Sequence, residues 1–293
     1  MKGVYTAIVT PFKESGKIDF DAFGKLLEEQ VKAKVTGVVV SGTTGEGATL
    51  NHEEKEELFR FAKENCGNLD LVAGTGTNNT ADSMKQTETA LKAGFEKVLI
   101  VTPYYNKPTP KGLFAHYSRI AATGARIVLY NVPGRTGLNI APNALKMIAE
   151  IKNVIAVKEA TGDIGRLADY LDTVGTERFD FLSGDDFTVV PFISMGGKGV
   201  ISVLSNIYPE ICVKMVNAAL SGDFTTAAKI QLATNKINHA MFMESNPLPV
   251  KEALHLMKKC ENIFRPPLAN MEDANLAKLA DIIKDFEKTK ETL

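Results

Sequence analysis

Cysteine is scarce in this chain, with three residues among 293, and that scarcity disfavours several kinds of site. Cys66, Cys212 and Cys260 are odd in number, far apart and outside any CxxC pair, which favours reduced structural thiols over disulfides or a zinc site. The four histidines show no metal-ligand spacing such as HExxH, so a catalytic metal is also disfavoured.

The chain also lacks long apolar runs and an excess of charge of either sign. No segment approaches the roughly 18 apolar residues of a membrane-spanning helix, and the start Met1–Tyr5 leads into strand-like sequence without a signal-peptide pattern. Its 34 basic and 35 acidic residues give a formal net charge of -1, which makes nucleic acid and anionic membranes poor partners. We therefore expect a soluble cytoplasmic protein that binds neither.

Short β-rich runs alternate with amphipathic segments of helical length. The predicted strands are Tyr5–Val9, Gly37–Val40, Leu71–Ala73, Val98–Val101, Ile127–Tyr130, Ile155–Lys158, Asp180–Leu182 and Val200–Val203. The predicted helices are Phe20–Lys34, Glu53–Asn65, Thr80–Ala93, Lys111–Ala122, Pro142–Ile151, Ile164–Thr173, Phe187–Met195 and Pro209–Leu220. Eight such units imply parallel pairing through helical crossovers and permit closure into a (β/α)8 TIM barrel, an α/β fold of roughly 250 residues. A doubly wound open sheet is the competing fold, but it usually has fewer strands.

The composition changes near residue 222. The remaining residues contain no clear strand, only helical patterns interrupted by Asn246–Pro249 and by Arg265–Pro267. We predict two units. The first is a barrel over residues 1–221 that carries the active site, and the second is a helical C-terminal extension over residues 222–293 that packs on the barrel or makes oligomer contacts.

Lys158 ends the apolar run Val154–Val157 and marks the predicted active site. A buried strand ending in lysine delivers an ammonium group to the carboxyl end of a barrel, where barrel enzymes carry their functional residues. Burial disfavours the charged amine and lowers its pKa, which leaves free nucleophile able to form a Schiff base with a carbonyl compound. A snorkelling lysine with its head in solvent is the alternative for such a residue taken alone.

Other strand ends supply hydroxyl groups and a guanidinium. Tyr130 ends the strand next to that of Lys158, so its phenol could pass protons to and from a carbinolamine, with the hydroxyls of Thr43 and Thr44 extending the relay. Arg135 follows in a Pro-Gly-Arg turn and could bind a substrate carboxylate in bidentate fashion. Each of these residues has a common structural alternative when taken singly. Tyr130 would be a half-buried tyrosine with a satisfied hydroxyl, the two threonines would form a turn, and Arg135 would be a solvated surface charge.

Glycine-rich strand ends raise the alternative of a phosphate site. The loop Gly42–Gly47 lacks the Gly-Lys-Ser/Thr ending of a P-loop, and the pair Gly74 and Gly76 lacks the third glycine of a dinucleotide fingerprint. Strand seven is followed by Asp185 and Asp186, whose charges would repel a phosphate. Nucleotide and phosphate binding are therefore disfavoured.

Three motifs occur together: Gly-Thr-Thr-Gly-Glu at Gly42–Glu46, Tyr-Asn-Val-Pro-x-Arg-Thr-Gly at Tyr130–Gly137, and Val-Lys-Glu-Ala at Val157–Ala160. With them the chain resembles the dihydrodipicolinate synthase family over essentially its whole length. The lysine, the tyrosine and the GxTGE loop are shared by the wider pyruvate-dependent class I aldolase superfamily, which includes N-acetylneuraminate lyase. The form of the second motif points more narrowly to the synthase.

The resemblance implies a reaction. Lys158 would form a Schiff base with pyruvate, and the resulting enamine would attack the aldehyde of aspartate 4-semialdehyde to give 4-hydroxy-tetrahydrodipicolinate, the committed step of diaminopimelate and lysine biosynthesis. Tyr130, Thr43 and Tyr105 match the family's proton-relay positions, with Tyr105 reaching into the site of a neighbouring subunit. The resemblance further implies a homotetramer that needs no metal or organic cofactor.

The resemblance also implies substrate contacts. Thr44 matches a residue that holds the pyruvate carboxylate, and Arg135 matches one that holds the semialdehyde carboxylate and shapes the mouth of the pocket. The backbone at Gly184 and at Ile201 matches further pocket positions.

Feedback-inhibited members of the family bind lysine at a subunit interface, and here this chain departs from them. The matching positions are His52, Asn78 and Tyr104. Gly47 stands at a serine position, Lys55 at a second histidine position and Asp82 at a glutamate position. A cation at Lys55 would repel the ammonium of lysine, and Asp82 reaches less far than glutamate. We therefore predict weak or absent inhibition by lysine.

Two competing functions remain. An aldolase of the same superfamily that acts on a sugar acid or on N-acetylneuraminate would use the same lysine and tyrosine, and Arg135 in its Pro-Gly-Arg-Thr context argues against it. A catalytically silent ligand-binding protein would be expected to have lost a reacting group, whereas Lys158, Tyr130, Thr43 and Tyr105 are all present.

Overall fold

The computed structural model describes residues 1–290 and 293 and contains a closed barrel of eight parallel strands in sequence order. The strands are β1 (Gly3–Ala7), β2 (Gly37–Val40), β3 (Asp70–Gly74), β4 (Lys97–Val101), β5 (Arg126–Asn131), β6 (Val154–Glu159), β7 (Asp180–Ser183) and β8 (Gly199–Ser202). Because β1 pairs in parallel with both β2 and β8, the sheet closes on itself. The predicted (β/α)8 fold is confirmed.

Helices connect the strands and continue after the last one. Within the described residues they are α1 (Phe20–Lys32), α2 (His52–Asn65), α3 (Thr80–Lys92), α4 (Pro110–Ala121), α5 (Pro133–Thr136), α6 (Pro142–Ile148), α7 (Ile164–Val174), α8 (Val189–Ser194), α9 (Pro209–Leu220), α10 (Phe224–Ala240), α11 (Leu248–Leu256) and α12 (Asp273–Thr289). A short 3-10 helix, Leu204–Asn206, follows β8. Among residues 1–290 and 293, no helix is long and apolar enough to cross a membrane.

Several predicted boundaries are wrong; the helix predicted over Pro142–Ile151, for example, ends at Ile148. Two of the differences have a clear local reason. β1 stops short of Val9 because the backbone N–H of Val9 donates to the side chain of Asn206 (3.1 Å) instead of continuing the ladder. Helix α8 begins after Phe187, not at it, because the N–H of Phe187 donates to the Asp185 carboxylate (3.0 Å) in a turn. The single-turn helix α5 was not predicted from the sequence.

Side-chain caps fix where several helices begin. Asn51 accepts from the N–H of Glu54 (2.8 Å), and the Glu54 carboxylate accepts from the N–H of Asn51 (3.0 Å), which forms a capping box at α2. Asp19, Asn79 and Asp163 cap α1, α3 and α7 through their side-chain oxygens. A side-chain cap of this kind stabilises a helix by about 1 kcal/mol.

The apolar core has two layers. The larger layer lies between the strands and the surrounding helices. The smaller fills the barrel interior with alternate strand residues, among them Val39, Val128 and Leu182. Below it, the amino end of the barrel is closed by polar contacts: the Tyr5 hydroxyl (2.8 Å) and the Lys97 ammonium (2.7 Å) both donate to Asp70. The carboxyl end of the barrel is open and contains a cavity.

The C-terminal segment is helical, as predicted. Helix α10 packs against α8 and α9, and α12 packs against α10 and α11. The guanidinium of Arg265 donates to the carbonyl oxygen of Gly16 (2.7 Å) and forms an ion pair with Glu54. Lys259 pairs with Glu29 of α1 (2.7 Å). These contacts join the segment to the β1–α1 loop and to helices α1 and α2.

Candidate active site

A cavity of about 300 Å³ opens at the carboxyl end of the barrel. Of the predicted catalytic and substrate-binding residues, it is lined by Thr43, Thr44, Tyr130, Arg135, Lys158 and Gly184. These side chains come from β2, β5, β6, β7 and the loops that follow those strands, so the parallel topology brings together positions far apart in the sequence.

Lys158 lies in the wall of this cavity and is 6% exposed. Among the described residues its Nζ has no hydrogen-bond or ion-pair partner. Burial lowers the pKa of Lys158 to about 7; the charge of Asp186 opposes this shift and that of Arg135 adds to it. A substantial fraction of the amine is therefore uncharged at neutral pH and can act as a nucleophile.

Tyr130 is the register partner of Lys158 on the neighbouring strand. The Nζ of Lys158 lies 4.3 Å from the centre of the Tyr130 ring, and the tyrosine is 6% exposed. Burial raises the pKa of the phenol, while Arg135 and a hydrogen bond with Thr43 lower it in part. The phenol is therefore protonated at neutral pH and able to donate a proton to a group bound at the amine.

The hydroxyl of Thr44 and the guanidinium of Arg135 are joined by a residue that the sequence analysis missed. Asn246, which precedes α11, donates from Nδ2 to Thr44 Oγ1 (3.0 Å) and accepts from Arg135 at its carbonyl oxygen (2.9 Å). Asn246 also lines the cavity. In the sequence, Asn246–Pro249 indicates only a break between helices, because a contact between residues about 200 positions apart leaves no local signal.

Gly184 is required to be a glycine by its neighbours. A Cβ added there would lie 2.6 Å from the Cβ of Ala160 and 2.9 Å from Cε of Lys158. The N–H of Gly184 donates to the carbonyl oxygen of Glu159 (2.7 Å), which fixes this close approach. The absent side chain leaves room for the stem of Lys158.

Two predicted site residues lie outside the cavity lining. Ile201 is fully buried in the interior layer of the barrel, and its predicted backbone contact with substrate stays a prediction. Tyr105 lies in the β4–α4 loop with a left-handed backbone (φ 71°) and is 91% exposed. Its predicted role in the site of a neighbouring subunit also stays a prediction.

Two acidic residues near Lys158 hold the backbone around it, and no local sequence pattern predicts these contacts. The buried carboxylate of Asp186 accepts from the N–H groups of Val203 (2.8 Å) and Leu204 (3.1 Å), so it holds the end of β8. Burial raises the pKa of Asp186, although these hydrogen bonds and the charge of Lys158 oppose that rise. Glu159 accepts from Asn131 Nδ2 (2.8 Å) and so ties β6 to β5.

The residues at the predicted lysine-effector positions form a connected cluster outside the cavity. His52 Nε2 lies 3.1 Å from Asp82 Oδ1, and Gln86 donates to Asp82 Oδ2 (2.7 Å). The buried ammonium of Lys55 donates to Gln86 Oε1 (2.6 Å). Burial lowers the pKa of Lys55 to about 8, with Asp82 opposing the shift. The acceptor oxygens of Gln86 and Asp82 are therefore already engaged by Lys55 and Gln86, and a bound lysine would have to compete for them.

The remaining effector positions are Asn78, Tyr104 and Gly47. Asn78 Nδ2 donates to the carbonyl oxygen of Tyr104 (3.2 Å). At Gly47 an added Cβ would lie 2.1 Å from the carbonyl oxygen of Ser41, so this loop conformation leaves no room for a serine.

The fold and the cavity place the chain among (β/α)8-barrel proteins that carry a buried lysine at the carboxyl end of β6. The profile of the dihydrodipicolinate synthetase family matches residues 1–286, and the chain belongs to that family.

Individual relatives agree over nearly the full length. The 4-hydroxy-tetrahydrodipicolinate synthase of Maridesulfovibrio salexigens is 46% identical over 286 residues, which are 97% of each chain. The structure of the 4-hydroxy-tetrahydrodipicolinate synthase of Methylacidiphilum fumariolicum SolV has a TM-score of 0.97 at 38% identity, covering 100% of this chain and 98% of that one. The chloride-inhibited dihydrodipicolinate synthase of Acinetobacter baumannii, complexed with pyruvate, has a TM-score of 0.95 at 35% identity and covers 98% and 99%.

Proposed function

We propose that the buried amine of Lys158 is the nucleophile of a 4-hydroxy-tetrahydrodipicolinate synthase. The chain is an enzyme of the lyase class that condenses pyruvate with aspartate 4-semialdehyde in diaminopimelate and lysine biosynthesis. The observation that carries the assignment is the buried amine of Lys158 in the wall of a cavity, 4.3 Å from the centre of the Tyr130 ring. Burial there lowers the pKa of the amine. The names of the relatives and the pyruvate complex of the Acinetobacter enzyme support the same conclusion.

The chemistry begins at the ketone carbon of pyruvate. The free amine of Lys158 adds to that carbon, and loss of water gives an imine. Loss of a methyl proton then gives an enamine, whose terminal carbon attacks the aldehyde and forms the new carbon–carbon bond. The amino group of the second substrate next displaces Lys158 from the imine carbon and closes the ring. Tyr130 and Thr43 carry the protons that these steps release and consume.

The remaining cavity residues bind the carboxylates. Thr44 offers a hydroxyl to the carboxylate of pyruvate, and its orientation is held by Asn246. Arg135 lies exposed beside the cavity and offers its guanidinium to the carboxylate of the semialdehyde. Gly184 and Ile201 contribute backbone groups. Neither a metal nor an organic cofactor takes part in the proposed reaction.

The decisive experiment pairs turnover with chemical trapping. Wild type and Lys158→Ala are mixed with pyruvate and aspartate 4-semialdehyde, and the product is followed through a coupled reductase. Turnover in wild type and its loss in the variant are expected. Borohydride reduction with pyruvate alone should give an adduct located on Lys158 by peptide mass spectrometry. An adduct without turnover would mean that the acceptor is wrong, and no adduct would end the Schiff-base mechanism.

The active enzyme is a homotetramer of the cytoplasm in this proposal. An aromatic side chain as exposed as Tyr105, on a loop at the carboxyl end of the barrel, supports a subunit contact there. The three cysteines form no disulfide, which fits a reducing compartment. Sedimentation at assay concentrations tests the assembly, and a monomer with full turnover would overturn it.

A further inference from the structure

The loop Gly42–Gly47, which carries Thr43 and Thr44 into the cavity, is held by a buried ion pair from the C-terminal segment. Glu46 Oε1 lies 2.5 Å from Nζ of Lys251 in α11, and both side chains are 0% exposed. Glu46 has a left-handed backbone (φ 52°), a conformation that side chains other than glycine adopt rarely. Its position is therefore maintained by contacts beyond its own chain neighbours.

Further contacts enclose this pair. Lys251 Nζ also donates to the carbonyl oxygen of Ile263 (2.7 Å) and lies 4.5 Å and 4.8 Å from the ring centres of Phe12 and Phe264. The second carboxylate oxygen of Glu46 accepts from the N–H of Arg265 (3.2 Å). Both charges thus have specific partners on several sides in surroundings that exclude water.

The segment that supplies Lys251 touches the same loop a second time. Asn246 donates to the hydroxyl of Thr44, and the N–H of Lys251 donates to the carbonyl oxygen of Pro247 at the start of α11. The segment therefore holds the loop at Thr44 and again at Glu46. Within the loop, the N–H of Glu46 donates to the carbonyl oxygen of Thr43 (3.1 Å), so a shift of Glu46 moves the threonine backbone.

A buried ion pair is weak as a source of stability, because its desolvation offsets most of its attraction and apolar residues of similar volume often replace it without loss. Its geometry, in contrast, is specific. We propose that Glu46 and Lys251 are positioning residues that fix the loop Gly42–Gly47, so that Thr43 and Thr44 face the Schiff-base lysine. This role rests on the proposed function of Lys158.

The test separates positioning from stability. Lys251→Met and Glu46→Gln each remove one charge, and the double variant Glu46→Gln/Lys251→Met removes both. For each protein, the unfolding midpoint, kcat, KM for pyruvate and the rate of borohydride trapping with pyruvate are measured. The single variants should lower the midpoint and reduce both the trapping rate and kcat/KM for pyruvate by about tenfold or more.

The double variant decides between the two roles. It leaves no unpaired buried charge, so its midpoint should return toward that of wild type, while trapping and kcat/KM for pyruvate stay low. If trapping and kcat/KM recover together with the midpoint, the pair acts through stability alone and the proposal is overturned. Glu46→Asp keeps the charges but shortens the reach, and an unchanged kcat/KM in this folded variant would also overturn it.

A matched control is Lys259→Met, which breaks another ion pair between the C-terminal segment and the barrel, to Glu29, without touching the loop. Its trapping rate and KM should equal those of wild type. Failure of the proposed function looks different, because wild type itself would then give no adduct with pyruvate. A trapped wild type and equally active single variants would contradict the positioning role only.

Discussion

Lys158 and Tyr130 face each other across neighbouring strands, with the ammonium nitrogen 4.3 Å from the centre of the phenol ring. Their positions follow from the register of β5 with β6, in which the two residues are direct partners. Burial raises the pKa of the Tyr130 phenol and lowers that of the Lys158 amine, so the phenol can act as an acid and the amine as a nucleophile in the same buried space. The consequences are measurable.

The rate of Schiff-base formation should depend on pH through the amine. Below a pH of about 7 Lys158 is mostly protonated and cannot attack, and above it the free amine predominates. The rate of borohydride trapping with pyruvate should therefore rise through about pH 7 and then level off. A rate that rises only near pH 10, the usual range of a solvated lysine, would contradict the buried amine.

The charge of Asp186 provides a check on this profile. Because that charge raises the pKa of Lys158, Asp186→Asn should move the midpoint of the trapping profile to lower pH. An asparagine can still accept from the N–H groups of Val203 and Leu204 at one oxygen. Asp185→Asn is the control, since Asp185 also lines the cavity and is not among the charges that shift the pKa of Lys158. Its midpoint should stay with that of wild type.

Gly184→Ala should damage the site by displacing the stem of Lys158. The new methyl group would meet Ala160 at 2.6 Å and Cε of Lys158 at 2.9 Å, so the amine must move. A displacement of about 1 Å lowers kcat/KM by about a hundredfold. Gly134→Ala is the matched control, because Gly134 also lines the cavity and an added Cβ there would have no atom of the described residues within 4 Å. Equal activity of the two variants would contradict the steric argument.

Tyr105 should act in the site of a neighbouring subunit. Tyr105→Phe and Lys158→Ala homo-oligomers should each have low activity. After the two are unfolded, mixed and refolded together, hybrids contain one site with an intact Lys158 and a partner's intact Tyr105, so activity should reappear. If Tyr105 served its own subunit, each site of a hybrid would keep one defect and mixing would restore nothing.

Inhibition by lysine should be weak. The ammonium of Lys55 already occupies Gln86 Oε1 and lies close enough to Asp82 to be stabilised by its charge, so an added amine meets repulsion and few free acceptors. Initial rates with increasing lysine test this, and an inhibition constant in the low millimolar range or below would refute it. Lys55→Gln removes the cation and should bind lysine more tightly than wild type.

The fold and the central pair of residues could be predicted because their signals are local. A run of apolar residues that ends in Lys158, and the same pattern one unit earlier at Tyr130, place both side chains at the carboxyl ends of adjacent strands. The alternation of strand and helix then gave the barrel. The division into units over residues 1–221 and 222–293 stays a prediction, with residues 291 and 292 outside the described part of the chain.

The supports of the site could not be predicted, because they join distant positions. Asn246 donates a hydrogen bond to Thr44, and Lys251 donates one to Glu46; each pair is separated by about 200 residues in the sequence. Neither contact produces a periodic pattern of apolar residues that could predict it. Asp186 was interpreted only as a charge that repels phosphate, whereas its carboxylate holds two backbone N–H groups at the end of β8. Contacts of this kind can be recognised only in the folded structure.

Acid should destabilise the protein through His116. This side chain of α4 is buried against α3, where Nδ1 lies 2.9 Å from the Thr80 hydroxyl, and Nε2 has no hydrogen-bond partner among the described residues. Burial lowers the pKa of His116 from 6.5 to about 4, so the folded state favours the neutral ring.

The sign follows from proton binding. Between pH 6.5 and 4 the unfolded chain binds a proton at this residue that the folded chain does not, so the stability present above pH 6.5 is lost as the pH falls toward 4. At pH 5 the loss relative to pH 7 is about 2 kcal/mol. Urea unfolding of wild type and His116→Gln at pH 7 and pH 5 measures it, since glutamine does not titrate. The variant should lose less stability than wild type over this interval, and equal losses would mean that His116 is already charged in the fold or solvated there.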